Sequence, residues 1–115
     1  MRETINARIE RTELGYEDHG LLTAWLFLDY GWGGQGFGGY CLDSYDQENR
    51  VRVPTLVCGH FIMAVLRVVG VTKWEDIPGK YIRVDQDSGK VYRIGNIIKD
   101  EWFDPAEEFK QYREA

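Results

Sequence analysis

The sequence predicts an α+β fold: a single domain over residues 1–115, with an antiparallel sheet, one central buried helix and a C-terminal helix. Three observations carry this expectation. Residues 4–12 alternate, with Ile5, Ala7 and Ile9 set against Asn6, Arg8 and Glu10, the period of a half-exposed strand. Residues 56–69 form the longest apolar stretch, broken only by Cys58, His60 and Arg67, and its length favours a buried helix despite its valines. Asp104-Pro105-Ala106-Glu107 places an N-cap residue, a proline at the first helical position and an acid in the first turn. Strands in succession before the long helix, and a further pair after it, argue for antiparallel pairing.

Each element follows in order. After the first strand, the glycine-bracketed segment Glu13–Gly20 is expected to be a polar turn. Residues 21–29 read as a second, apolar strand. A glycine-rich segment and residues 40–43 supply a third, and Asp46 to Arg52 reads as a charged loop. Pro54 and Thr55 open the long helix, and Gly70 suits its C-cap. Thr72-Lys73-Trp74-Glu75 has the spacing of a capping box and predicts one short helical turn. Residues 80–85 and 90–98 form a hairpin around Asp87-Ser88-Gly89. The final helix is expected to run for about ten residues from Asp104.

Composition narrows the function classes. A net charge of −5 argues against a general DNA or RNA binder, which needs a basic face, but leaves room for a small anionic ligand held by a few arginines. No apolar leader or membrane-length segment is expected, and the two cysteines, Cys41 and Cys58, lack a metal-binding or redox spacing. A reducing cytoplasm with both thiols free is the expected setting.

The run from Gly31 to Tyr40 holds six glycines and three aromatics in ten residues. It predicts a backbone that takes left-handed torsions or approaches something closely, and a wall for a cleft. Two overlapping matches to a dinucleotide fingerprint occur in it. A true fingerprint opens a helix, whereas this run continues into the strand-like Tyr40-Cys41-Leu42-Asp43.

No catalytic residue, metal site or cofactor is expected. His19 and His60 are the only histidines, and Cys58-x-His60 is a poor spacing for two ligands on one helix face. Glu17 and Asp18 are adjacent in a turn, where such acids more often accept backbone N–H bonds than share a proton. The start of the long helix is a candidate anion site, with Arg50 and Arg52 just before Thr55. In the segment from Tyr92 to Asp104, Gly95 interrupts an apolar strand, which predicts a bulge or a close approach. Asn96 beside it is a candidate reader of an amide-like or base-edge group. Trp102 and Phe103 are either core or a stacking platform. Arg113 is a candidate phosphate contact.

Three blocks of sequence carry a resemblance. Thr12-Glu13-Leu14-Gly15-Tyr16-Glu17-Asp18-His19-Gly20, Gly34-Gln35-Gly36-Phe37-Gly38-Gly39-Tyr40 and Gly95-Asn96-Ile97-Ile98-Lys99-Asp100-Glu101-Trp102-Phe103 occur in order, with Val69-Gly70-Val71 and Lys73-Trp74-Glu75 between them. Together they span most of the chain and resemble a family of small phage and prophage proteins, the first type of Thoeris anti-defence proteins. The resemblance implies a sponge that sequesters cyclic ADP-ribose isomers, the signals made by TIR-domain immune enzymes, without cleaving them. It implies a ligand at a subunit interface, homo-oligomers (dimers, or hexamers built from dimers), a second site for cyclic oligonucleotides in some members, and action in the cytoplasm of an infected bacterial host. Asn96 and Arg113 are the best matches to the family's polar contacts, and Tyr16 is the match for the stacking aromatic. Arg52, Thr55, Arg83, Asp100 and Trp102 complete the expected ligand-binding set. The chain departs from the pattern at Pro54, where the resemblance implies a glycine before Thr55. The alternatives are an inhibitor that binds a host defence protein through an aromatic surface, and an enzyme that degrades the nucleotide with Glu17, Asp18 or His19 as acid or base.

Overall fold

A computed structural model describes residues 1–113. Its main sheet contains six antiparallel strands: β1 (Glu3–Tyr16), β2 (Leu22–Asp29), β3 (Gly34–Gly38), β6 (Tyr81–Gln86), β7 (Val91–Asn96) and β8 (Trp102–Phe103), in the order β3-β2-β1-β6-β7-β8. A separate two-stranded ribbon joins β4 (Asp43–Asp46) to β5 (Val51–Pro54). The helix α1 (Leu56–Val69) packs on one face of the sheet, and a short α2 (Pro105–Glu108) runs into a 3₁₀ turn at Phe109–Tyr112. The fold is α+β, as the sequence predicts.

The alternation in β1 does what its period requires. Ala7 and Ile9 point into the core and are buried, while Asn6, Arg8 and Glu10 are exposed. A bulge follows: Ile9 pairs with Leu28 but Arg11 with Phe27, so Glu10 is the extra residue. The strand then runs on through Glu13 and Gly15, which pair with Trp25 and Thr23. The expected turn over residues 13–20 is therefore shorter. It closes at Gly20, whose N–H donates to the carbonyl of Glu17 at 2.8 Å. Glu13, Leu14 and Tyr16 are all exposed there, so this end of β1 is open on both faces.

The boundaries of α1 match the apolar stretch. Phe61, Ala64, Val65, Val68 and Val69 form its buried face at helical spacing, and Gly70 caps it with φ 84°, its N–H reaching the carbonyl of Leu66. The opposite side is open, with Leu56 and Met63 largely exposed. The core is a cluster of rings: Phe37 stacks on Phe61 with centroids 6.0 Å apart, and Phe103 meets Phe61, Phe37 and Phe109 edge-on. Aromatic pairs favour these offset and edge geometries.

Four local expectations are corrected. Asp46–Arg52 is not a loop throughout, because Val51–Pro54 pairs with Asp43–Asp46 around a turn whose N–H groups bind the Asp46 carboxylate. Residues 40–43 do not continue the third strand: β3 ends at Gly38, and Asp43 opens β4 and pairs with Pro54. The short helical turn expected after Thr72 is present as 3₁₀ over Trp74–Asp76, but the capping box is not: the N-cap is Lys73, with no side-chain cap bond. The C-terminal helix starts as expected, with the Asp104 carboxylate accepting the Glu107 N–H, but tightens after one turn. In a 3₁₀ turn residues i and i+3 eclipse. Phe109 and Tyr112 thereby both meet His60 of α1.

The glycine run is a bed for a tryptophan. Trp25, on β2, lies against Gly36 and Gly39, and a Cβ on Gly36 would stand 3.0 Å from its ring. Gly38 has φ 126° and a Cβ there would collide with the Ala24 carbonyl. We expect Gly38→Ala to cost about 2–4 kcal/mol of stability, from left-handed strain plus overpacking. Gly33→Ala, which meets open space, should change it by less than about 0.5 kcal/mol. Urea denaturation midpoints of the two variants check this.

Candidate functional site

Ile82 and Val84 face the core, so Arg83 between them points to the face that α1 does not cover. Arg83 pairs in register with Gly95, and Gly95 with Trp102. A Cβ on Gly95 would sit 2.6 Å from the Trp102 indole, so the ring lies on bare backbone. Gly95 is the close approach the sequence predicts; the bulge falls elsewhere, between Asp85 and Gln86. The guanidinium carbons of Arg83 and Arg93 stand 4.6 and 4.1 Å from the Trp102 ring centroid. Trp102 Nε1 donates to Asp100 Oδ1 at 3.2 Å.

Hydrogen bonds fix this cluster. Arg83 donates from Nε to the Asn96 carbonyl and from Nη2 to the Lys99 carbonyl, both at 2.7 Å. Arg93 Nε and Arg2 Nη2 reach the same oxygen of Asp85, at 3.1 and 2.7 Å. Arg2, Arg83 and Arg93 thus gather here with Asp85 and Asp100, and Asp104 also acts on Arg2. Of these, Arg83, Asp100 and Trp102 are candidates from the sequence; Arg2, Arg93, Lys99 and Asp85 are not. The missed signal was spacing: Arg93 is two residues from Gly95 on one strand and shares its face.

Asn96 belongs to the cluster through its backbone alone. Its side chain is buried, with Nδ2 donating to the Val68 carbonyl at 2.8 Å and Oδ1 accepting the N–H groups of Ile98 and Lys99. It ties the end of α1 to the turn that presents Lys99 and Asp100.

Tyr16, Arg52 and Thr55 gather at the other end of the molecule. Tyr16 and Arg52 line a cavity of about 250 Å³ with Asp43 and Cys58. Arg52 grips Asp43 bidentately, Nε to Oδ2 at 3.0 Å and Nη2 to Oδ1 at 2.5 Å, and the Leu22 N–H adds a third bond. The Arg52 guanidinium is the main reason the Asp43 carboxyl is held down at about 2. Thr55 does not cap α1; its hydroxyl donates to the Leu42 carbonyl at 2.6 Å. Arg52 and Thr55 therefore lock the β4–β5 ribbon to the body. Cys41 and Cys58 are both free thiols, Cys41 exposed beside Asp43 and Arg52.

Arg113 is exposed at the end of the C-terminal turn, and no hydrogen bond among the described residues links its side chain to either cluster. His19 lies exposed in its turn. His60 is clamped, with Nδ1 2.8 Å from the Tyr112 hydroxyl and Nε2 2.8 Å from Glu108. No group of three or more His, Cys, Asp or Glu side chains among the described residues is placed to hold a metal ion. Nor is any described helix long and apolar enough to cross a membrane.

Two outcomes test this geometry. Asp43 is ionised more readily when folded than when unfolded, so its pairing adds stability in full above the ordinary carboxylate range and loses it as pH falls toward about 2. Asp43→Asn should remove that acid-side dependence and cost about 1–3 kcal/mol, measured by thermal melts across pH. Gly95→Ala should displace Trp102, seen as a shift in tryptophan fluorescence. No protein-family model, curated protein or solved structure matches the chain.

Proposed function

We propose that this protein binds a cyclic ADP-ribose-type nucleotide and sequesters it without cleavage, acting as an anti-defence sponge in the cytoplasm of an infected bacterial host. The observation that carries the reading is the Trp102 indole laid on Gly95 with two guanidiniums stacked against it. Guanidinium planes resting on an aromatic ring extend a π-surface on which a base can stack, and their charge faces phosphates. The residues around it are already held by internal hydrogen bonds, and such preorganisation reduces the ordering cost of binding. The sequence resemblance supplies the ligand class.

On this reading the chain works as a homo-oligomer built from dimers. Leu56 and Met63, exposed on the outer side of α1, together with Ile98, offer apolar surface for such contacts. Asn96 acts by shaping the Lys99–Asp100 turn, while Arg83, Arg93 and Arg113 are the cations available to phosphate.

Calorimetry with cyclic ADP-ribose isomers tests the proposal. Arg83→Ala should weaken binding by about 1.5–3 kcal/mol, the range for a charged hydrogen bond, and Arg113→Ala by a similar amount with little change in melting temperature. Ligand should raise the melting temperature by mass action and be recovered intact after heating. Accumulation of linear ADP-ribose with turnover would make the protein a hydrolase. Failure to bind any cyclic nucleotide would favour an inhibitor of a host protein. Light scattering showing only a 13.4 kDa monomer at micromolar concentration would remove the oligomer.

A further inference from the structure

The sheet face left free by α1 carries a second pocket, of opposite chemistry. It holds about 330 Å³ at the far end of β1 and β2, among Glu13, Tyr16, Glu17, Thr23, Trp25 and Phe27. Gly15 leaves its floor without a side chain, and a Cβ there would touch nothing. Trp25 and Phe27 form its aromatic side, stacked with centroids 6.2 Å apart and planes 22° from parallel. The Trp25 Nε1–H points toward Glu17 Oε2 at 3.4 Å, and the same oxygen accepts the Thr23 hydroxyl at 2.5 Å.

The chain itself shows what such surfaces take. The Arg11 guanidinium sits over the Phe27 ring at 3.8 Å from its centroid and pairs with Glu13. At the other end of the sheet Arg83 and Arg93 cover Trp102. Trp25, beside Phe27, has no cation over it among the described residues, and Glu17 has no ion-pair partner among them. Trp25 and Glu17 thus set a ring and a carboxylate side by side, as Phe27 and Glu13 are set around Arg11, with the Glu17 oxygen steadied by Thr23 and the indole N–H. Glu13 is compensated by Arg11, so Glu17 is the carboxylate without an ion-pair partner among the described residues, and it disfavours phosphate here.

We propose that the Trp25–Glu17 pocket binds a small alkylammonium cation, held by the π-face of Trp25 and the carboxylate of Glu17. An ammonium near an indole face is attracted by the ring quadrupole, and a carboxylate at the rim adds a charge-assisted contact. This pocket is independent of the nucleotide reading above, so either can fail alone.

The probe is choline, titrated while the Trp25 indole N–H is followed by NMR. Its uncharged isostere, 3,3-dimethylbutan-1-ol, has the same shape. Choline should give a saturable shift of the Trp25 signal and bind about tenfold or more tightly than the isostere. Glu17→Gln keeps the acceptor for Thr23 and should weaken choline binding about fivefold, with the melting temperature retained. Equal binding of choline and the isostere, no saturable shift with choline, or tighter binding of adenosine monophosphate at this indole would each overturn the proposal. Should Glu17→Gln fail to fold, the comparison of choline with its isostere on the native chain decides alone.

Discussion

One fourteen-residue helix has to serve a six-stranded sheet, and it covers a single face. The other face meets water along its whole width, so the aromatic side chains on it need another kind of cover. The chain solves this by laying tryptophans on glycine. Trp25 rests on Gly36 and Gly39 near one edge, and Trp102 on Gly95 near the other. Each indole packs against bare backbone; Arg83 and Arg93 then cover Trp102, while no cation among the described residues covers Trp25. A ring packed across glycine restores the side-chain contact that glycine lacks in a sheet. The same arrangement holds each half-buried indole in one place on the sheet.

The covered face is organised by rings of a different kind. Phe37, Phe61, Phe103 and Phe109 join strand, helix and C-terminal turn in one cluster, and His60 closes it by bonding both Glu108 and Tyr112. The sheet is curved enough that Gln35 of β3 donates to the Asp87 carbonyl in the β6–β7 turn. A core fixed in this way holds the outer surface still. Ligand contacts made on strands backed by packed rings are better positioned than contacts made on loops.

Much of this architecture is legible in the chain, and the failures have physical causes. The bounds of α1, the Gly70 cap, the Asp104 cap and the Asp87-Ser88-Gly89 turn are local signals, and each is met. The continuation of β1 to Tyr16 is not local: Glu13 and Gly15 look like turn residues until β2 is there to pair with them. The β4–β5 ribbon and β8 are too short for periodicity to register. At the candidate site, the expected ligand-binding set included Arg83 and Trp102, which the fold does bring together. It pointed equally to Asn96, whose polar side-chain atoms are instead spent on Val68, Ile98 and Lys99. A buried amide with every bond satisfied inside the chain looks the same in sequence as one waiting for a ligand.

Charge divides the open face as clearly as the rings unite it. β1 pairs with β6 through its first half and with β2 through its second, so Asn6 stands opposite Arg83 while Glu13 lies seven residues on, roughly 20 Å along the strand. Arginines crowd the β6–β8 end and carboxylates the β1–β2 end. That separation exceeds the screening length at physiological salt, about 8 Å, so each end presents its own field to an approaching ligand. On the two proposals made above, an anion is drawn toward Trp102 and a cation toward Trp25. Two indoles in similar settings on glycine thus differ chiefly in the charged residues the strand registers place around them: Arg83 and Arg93 over Trp102, and Glu17 at the edge of Trp25.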